Sequence, residues 1–329
     1  MGEKNNALTV YMNRSDRIGS VLEYYLKRRL PQDWECQETR GFYTIRNACG
    51  KLSSRQRDFV GNARAWGRHF LLGLEHQENI GLTFPWRLME MDCLAYGNEI
   101  QKNQRTNSAD KARYNAEDDF QYRYKKQDRI TPVLTLTLYW GKKPWKEPLS
   151  LADMMADMGT LPKKIQQLAG DYKVHLIQMR FIPDEDLAKM NSDLKYVLGI
   201  MKCTGSRKRY EDYIYRNREF FSRISKSAVD VIDTCTSIKD ITGSLTYIFN
   251  PDTGEEETDM CKALRDIKKH AERKGKRQGT LDTLISLVTD GLLQLEEAAK
   301  RAGLSSSAFC DEMKKANGST IFHTTPRKH

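Results

Sequence analysis

Residues 57–77 read RDFVGNARAWGRHFLLGLEHQ, and the reading of this stretch decides the fold. Phe70-Leu71-Leu72-Gly73-Leu74 is an apolar run that stops at Glu75-His76-Gln77, the pattern of a buried strand with polar groups at its end. The segment from Asp58 through Val60 to Ala65 alternates loosely and reads as its partner strand. Trp66-Gly67 lies between them, and a hairpin turn fits there because Gly tolerates positive φ. With an even loop centred on this pair, Ala65 faces Arg68, Arg64 faces His69 and Asp58 faces Glu75. Directly opposed side chains share a face, as do residues two apart on one strand. Asp58, Glu75 and Gln77 then point into one space, with His76 on the other side. A three-residue loop with a bulge would shift this register, and Trp is an unusual residue for a positive-φ position. Two carboxylates held together repel unless a proton or a divalent cation sits between them. Mg²⁺ suits such a pair, being held by one or two carboxylates plus water and phosphate oxygens.

Working outward, Pro85, Trp86, Leu88, Met89, Met91, Leu94 and Ala95 predict a helix toward Ile100 with Pro in its first turn. Arg87 is placed either to reach a phosphate or to partner Asp92 or Glu90. From Pro132 to Trp140 leucines and β-branched residues are too continuous for an exposed strand, the signature of a central strand buried on both faces. Gly141 ends it, and Lys142, Lys143, Trp145 and Lys146 follow. Such interleaving could track a backbone and stack a base, although a tight turn with its tryptophan packed on the sheet is the favoured reading.

The residues before the hairpin predict a capped amphipathic helix from Ser15-Asp16 to before Pro31, then a short strand at Phe42-Tyr43-Thr44-Ile45. Residues 102–126 are polar, and Glu117-Asp118-Asp119 reads as a solvated loop. Beyond the central strand, Leu149 to Met158 predicts a short helix and Val174 to Ile182 a strand. Leu187 to Thr236 reads as helical throughout, with Tyr210, Tyr213, Ile214, Phe220 and Phe221 as core. Asn250 to Gly254 is a turn-rich loop before a helix at Met260-Cys261-Lys262. From Lys262 to Arg277 bases heavily outnumber acids, a face that lies along DNA or is merely solvated. Gly275 and Gly279 are expected to weaken this helix into a hinge. Leu295 to Ala302 and Ser305 to Lys315, split by Gly303-Leu304, have helix-turn-helix length, and a plain helical hairpin fits as well.

An Asp opening a hairpin, then an apolar strand ending in Glu-x-Gln, resembles the PD-(D/E)xK nucleases in their Glu-x-Gln form. The wider stretch is similar to the recombination-promoting nuclease/putative transposase family. FPWRLMEMDCLAY resembles that family's Met-Pro-x-Arg helix, with Arg87, Asp92 and Tyr96 at matching positions. RITPVLTLTLYWGKKPW resembles its apolar strand and following turn, EEETDMCKALRDI its Met-Cys-Lys-Ala helix, and LEEAAKRAGLSSSAF its terminal DNA-binding-like segment. On the first helix Ser20 and Glu23 stand where the family carries Asp and Asn. Glu23 reads there as a surface charge rather than an extra acid near a metal.

The resemblance implies an α/β fold: a PD-(D/E)xK restriction-endonuclease-like core, a mixed sheet flanked by helices, with a mostly helical C-terminal region. The expected division is a nuclease-like domain at 1–183, a helical region at 184–258, and a basic helix with a helical pair at 259–329. The implied activity is metal-dependent endonucleolytic hydrolysis of DNA, of mobile-element or recombination type. Asp58 and Glu75 are then the metal ligands for Mg²⁺ or Mn²⁺. Gln77 takes the place of the lysine found in many relatives; an amide cannot take a proton near neutral pH, so it would orient water by hydrogen bonding. Arg87, Lys142 and Lys143 are candidate DNA contacts. Two alternatives stay open: an inactive DNA-binding protein of transposase origin, and a phage-defence effector nuclease.

The chain of 329 residues can bury a substantial core, and its 30% charged and 39% hydrophobic content is that of a globular protein. A net charge of +10 suits an anionic partner, nucleic acid first. No stretch approaches the ~18 apolar residues of a membrane span, and MGEKNNALTV lacks a signal-peptide core. Seven scattered cysteines without a Cys-x-x-Cys pair argue against a zinc site and for a cytoplasmic protein with reduced thiols. A homo-oligomer is left open. No Gly-x-Ser-x-Gly elbow supports a serine hydrolase.

Overall fold

The computed structural model describes residues 3–39, 42–46, 52–109, 114–115, 117–119, 121–157, 159–203, 205–236, 238–243 and 245–319. The chain opens with helices α1 (Glu3–Met12) and α2 (Ser15–Leu26), then β1 (Glu35–Glu38), a pair β2 (Phe42–Arg46) and β3 (Leu52–Gln56), and the hairpin β4 (Phe59–Ala65) with β5 (Arg68–Gln77). Next come α3 (Phe84–Ala109), β6 (Val133–Tyr139), α4 (Lys163–Leu168) and β7 (His175–Gln178). The remainder is α5 (Asp184–Ala188), α6 (Leu194–Met201), α7 (Arg207–Arg216), α8 (Arg218–Phe221), β8 (Ile224–Ser225), α9 (Lys226–Cys235), α10 (Lys239–Thr242), β9 (Ile248–Asn250), β10 (Glu255–Thr258), α11 (Met260–Thr289), α12 (Leu295–Ala302) and α13 (Ser306–Ser319). There are two compact units, 1–260 and 261–329. The first takes in both 1–183 and 184–258.

The main sheet has five strands in the order β1-β4-β5-β6-β7. β4 is antiparallel to β1 and β5, whereas β5, β6 and β7 run parallel. The tight turn forces the antiparallel pair; the helix between β5 and β6 gives the chain length to return in parallel. This is the mixed sheet with flanking helices that the resemblance implies. The hairpin register is also the expected one, from Ala65 opposite Arg68 to Phe59 opposite Leu74. Trp66 and Gly67 both have positive φ, 51° and 68°, so the loop is the two-residue type I′ turn. Asp33 holds it: its carboxylate accepts the Trp66 amide at 3.2 Å and the Gly67 amide at 2.7 Å.

Both faces of the central strands are covered, which is why their sequences read as continuous apolar runs. One face carries Val60, Val133 and Tyr139 against Leu88, Met91, Leu94 and Ala95 of α3. The other carries Phe59, Leu72, Leu74, Leu136 and Leu138, all buried, and α1 packs on β5. Trp145 is buried with its ring 5.3 Å from those of Phe84 and Tyr139, so it packs on the sheet as the favoured reading has it.

Several boundaries differ from the sequence reading. α3 runs on to Ala109, because Asn107 anchors its end by donating to Arg123 O at 2.9 Å and to Asp128 at 2.7 Å. The helix expected at 149–158 is only a 3-10 turn, Ala152–Met154. β7 ends at Gln178, where a 3-10 turn sends Arg180 inward to the backbone carbonyls of Trp140, Met201 and Cys235. The stretch 187–236 divides into short helices with the two-residue strand β8 among them.

In the second unit Leu284, Ile285, Ala298, Ala299 and Phe309 form a core beneath α11, α12 and α13. Gly303, at φ 67°, closes α12: its amide bonds Lys300 O while Leu304 bonds Ala299 O. The glycines at 275 and 279 do not break α11, which is one helix from Met260 to Thr289. An exposed Gly costs about 1 kcal/mol against Ala in a helix, too little to stop one with apolar residues at both ends. Between those ends every residue from 268 to 280 is exposed. This bare segment carries Lys268, Lys269, Arg273, Lys274, Lys276 and Arg277 against the single acid Glu272.

Candidate active site

The site grows from the end of the β4–β5 ladder. Leu71 donates its amide to Pro132 O on the β6 side, so the even-numbered amides of β5 face β4. The last paired residues are Phe59 and Leu74, and the chain bends at Asp58. The next β5 amide on that side belongs to His76, and Asp58 Oδ2 accepts it at 2.7 Å. Asp58 therefore completes the ladder with its side chain where the backbone has turned away.

Glu75 lies on the face beneath α3 and is 3% exposed. Among the described residues its Oε1 has no hydrogen-bond partner, and neither has the Oγ of Thr137, its neighbour across the parallel ladder. Burial pushes the Glu75 pKa up to about 8, with the charges of Asp58 and Asp92 adding to the rise and those of Arg57 and Arg87 opposing it. Gln77 follows on the same face, half-buried and opposite Tyr139. Alternation thus brings Glu75 and Gln77 to one face, with Asp58 close enough to Glu75 to perturb its charge.

Sequence reasoning missed Arg57. It is 2% exposed, ion-paired to Asp92, and donates to Thr135 Oγ at 2.6 Å. Asp92 also accepts from Thr135 at 2.7 Å and from the Tyr172 hydroxyl at 2.5 Å. Its ion-pair partner is therefore Arg57; Arg87 is exposed, with its guanidinium 5.6 Å from the Phe84 ring centre. The guanidinium of Arg57 crosses the sheet at Gly73, where a Cβ would stand 2.1 Å from Nη1. A glycine inside an apolar strand is the signal that could have found it, since it marks a close approach.

His76 faces the opposite layer, fully buried, and accepts the Trp140 indole N–H at Nδ1 over 3.1 Å. Burial lowers its pKa to about 3, so it is neutral and has no access to the Glu75 face. Lys142 and Lys143 are exposed after β6, and Lys143 O accepts the Tyr139 hydroxyl at 2.8 Å. Glu23 holds Arg29 at 2.7 Å and accepts the Leu30 amide at 3.0 Å, so it fixes the loop after α2.

Among the described residues no group of three or more His, Cys, Asp and Glu is gathered to hold a metal ion. The donor set here is two carboxylates, one with an oxygen left unpartnered, beside an amide. That set fits a hard divalent cation that takes most of its ligands from water and substrate.

The fold and this site define an α/β protein with two acids, Asp58 and Glu75, near the end of a central hairpin. Residues 112–229 match the family described as putative transposase, YhgA-like. Over that stretch, about a third of the chain, the sequence is similar to this transposase family, in keeping with the resemblance drawn from the motifs. The matched segment holds β6 and β7 and ends within α9; the hairpin with Asp58, Glu75 and Gln77 lies before it. Neither a curated protein nor a solved structure matches the chain.

Proposed function

We propose that this protein is a divalent-metal-dependent DNA endonuclease of mobile-element or recombination type. The observation that carries the reading is the unpartnered, buried Glu75 oxygen on the same face as Gln77 and within charge range of Asp58. A buried carboxylate oxygen without a partner is costly unless something supplies one. Asp58 and Glu75 would hold Mg²⁺ or Mn²⁺, which when bound supplies Lewis acidity and a more acidic water. Glu75 would give up its proton as the ligand site fills. Gln77 hydrogen-bonds and orients the attacking water but cannot accept its proton. Arg87, exposed one helix turn from the buried Met91, and Lys142 and Lys143 would position phosphates. The Arg57–Asp92 pair stiffens the layer beneath Glu75.

A second reading has its own observation. The Asp58 carboxylate is already engaged by the His76 amide, as suits an acid kept for the fold in a DNA-binding protein that no longer cuts. A plasmid-nicking assay separates the two. The nuclease reading expects cleavage with Mg²⁺ or Mn²⁺, silence in chelator, and loss of cleavage in Glu75→Gln with DNA binding retained. Cleavage that persists in chelator, or in Glu75→Gln, overturns it.

A further inference from the structure

The other end of the hairpin carries a second set of groups. Trp66 occupies a conformation that bulky residues rarely adopt, yet the residue is 46% exposed and belongs to no core cluster among the described residues. Asp33 clamps the turn through both of its amides, so the backbone is held and the indole is presented outward. The Arg28 guanidinium lies 5.8 Å from the centre of that ring, and Arg68 follows the turn directly, exposed like Arg28. Neither arginine has a carboxylate partner among the described residues. Such an arrangement leaves an aromatic plane facing solvent, with one cation over it and a second opening the next strand. Strain of this kind persists only where the surroundings over-determine it, and it gathers at binding sites.

We propose that Trp66, Arg28 and Arg68 form a contact site for single-stranded DNA, in which the indole stacks an unpaired base and the arginines hold the flanking phosphates. In a duplex the base faces are buried in the stack, so a flat ring projecting from a turn has nothing to cover there. An unpaired base offers a π-face of any sequence, and arginines beside it suit the backbone. Trp66 lies nine positions before Glu75, roughly 30 Å away along the strand at the rise of a β-strand. The proposal rests on the nucleic-acid reading above, not on the cleavage chemistry.

The test measures binding in chelator, so cleavage cannot interfere. Labelled oligo(dT) of about 20 nucleotides is titrated by anisotropy against the full chain and its Trp66→Asn, Trp66→Phe and Arg28→Ala/Arg68→Ala variants. Asn accepts positive φ, so Trp66→Asn keeps the turn and should melt no lower than the parent. Its affinity for oligo(dT) should fall about tenfold, Trp66→Phe should recover part of the loss, and affinity for a blunt duplex should be unchanged. The double arginine variant should show a shallower salt dependence on oligo(dT). Equal oligo(dT) affinity in Trp66→Asn overturns the proposal, as does an equal loss on duplex. Oligo(dT) binding that needs Trp66 in a protein that never cuts plasmid would reject the nuclease reading and leave this site standing.

Discussion

Glu75 ties the folding of the chain to pH. Its pKa rises from 4.5 to about 8 on burial, so the folded protein keeps a proton that the unfolded chain gives up. Stability contributed by the neutral form is complete below about 4.5 and is lost as pH rises toward about 8. Glu75→Gln should therefore melt at a temperature similar to the parent at pH 4.5 and clearly higher at pH 9. The gain there should be on the order of a few kcal/mol, and thermal melts across that range would check it. Mg²⁺ should raise the melting temperature of the parent at pH 8 and leave Glu75→Gln unmoved. His76 has the opposite sign: its pKa falls from 6.5 to about 3, so its contribution is complete above 6.5 and lost on acidification. Asp58 separates into two variants. Asn retains an oxygen for the His76 amide and should leave stability close to the parent's. Ala orphans that amide and should cost about 1–3 kcal/mol by denaturant titration. Gly73→Ala should cost on the order of 3 kcal/mol, because the added methyl displaces a guanidinium from a buried ion pair.

At the scale of single elements, the hairpin was the most legible part of the chain. Its register follows from one apolar run, one Gly and the alternation of a strand, and all three are local. Arg57 was not legible, since an arginine before a bend looks like any surface charge until Asp92 arrives from α3. The Asp58 bond to the His76 amide was hidden for a related reason: register predicts which residues face each other, not where a strand leaves its ladder. The end of α3 depends on Asn107 meeting Asp128 across a loop, a contact that helical periodicity does not contain. α11 was misread through Gly275 and Gly279, whose cost is outweighed by apolar anchors at the two ends of the helix. Both glycines face open space. Gly275→Ala and Gly279→Ala should each stabilise the helix by about 1 kcal/mol, seen as helical circular dichroism retained to higher temperature. Lower helicity in either variant would mean that the glycine meets something in solution.

For the whole molecule, charge and division matter more than any single contact. If this chain of net charge +10 binds DNA as proposed, through arginines and lysines, its affinity should fall steeply with salt. An affinity unchanged between low and moderate salt would separate the basic surface from DNA binding. The bare stretch of α11 also makes the chain vulnerable at a known place. A helix segment with no side chain packed over it opens at little cost, and six lysines and arginines within 268–280 are each a trypsin target. Brief digestion should cut there first and leave a fragment close to residues 1–260 that resists further attack. Bound DNA that covers the segment would slow this cut and spare the rate at other sites, so a gel of timed digests locates the nucleic acid without any substitution in the protein.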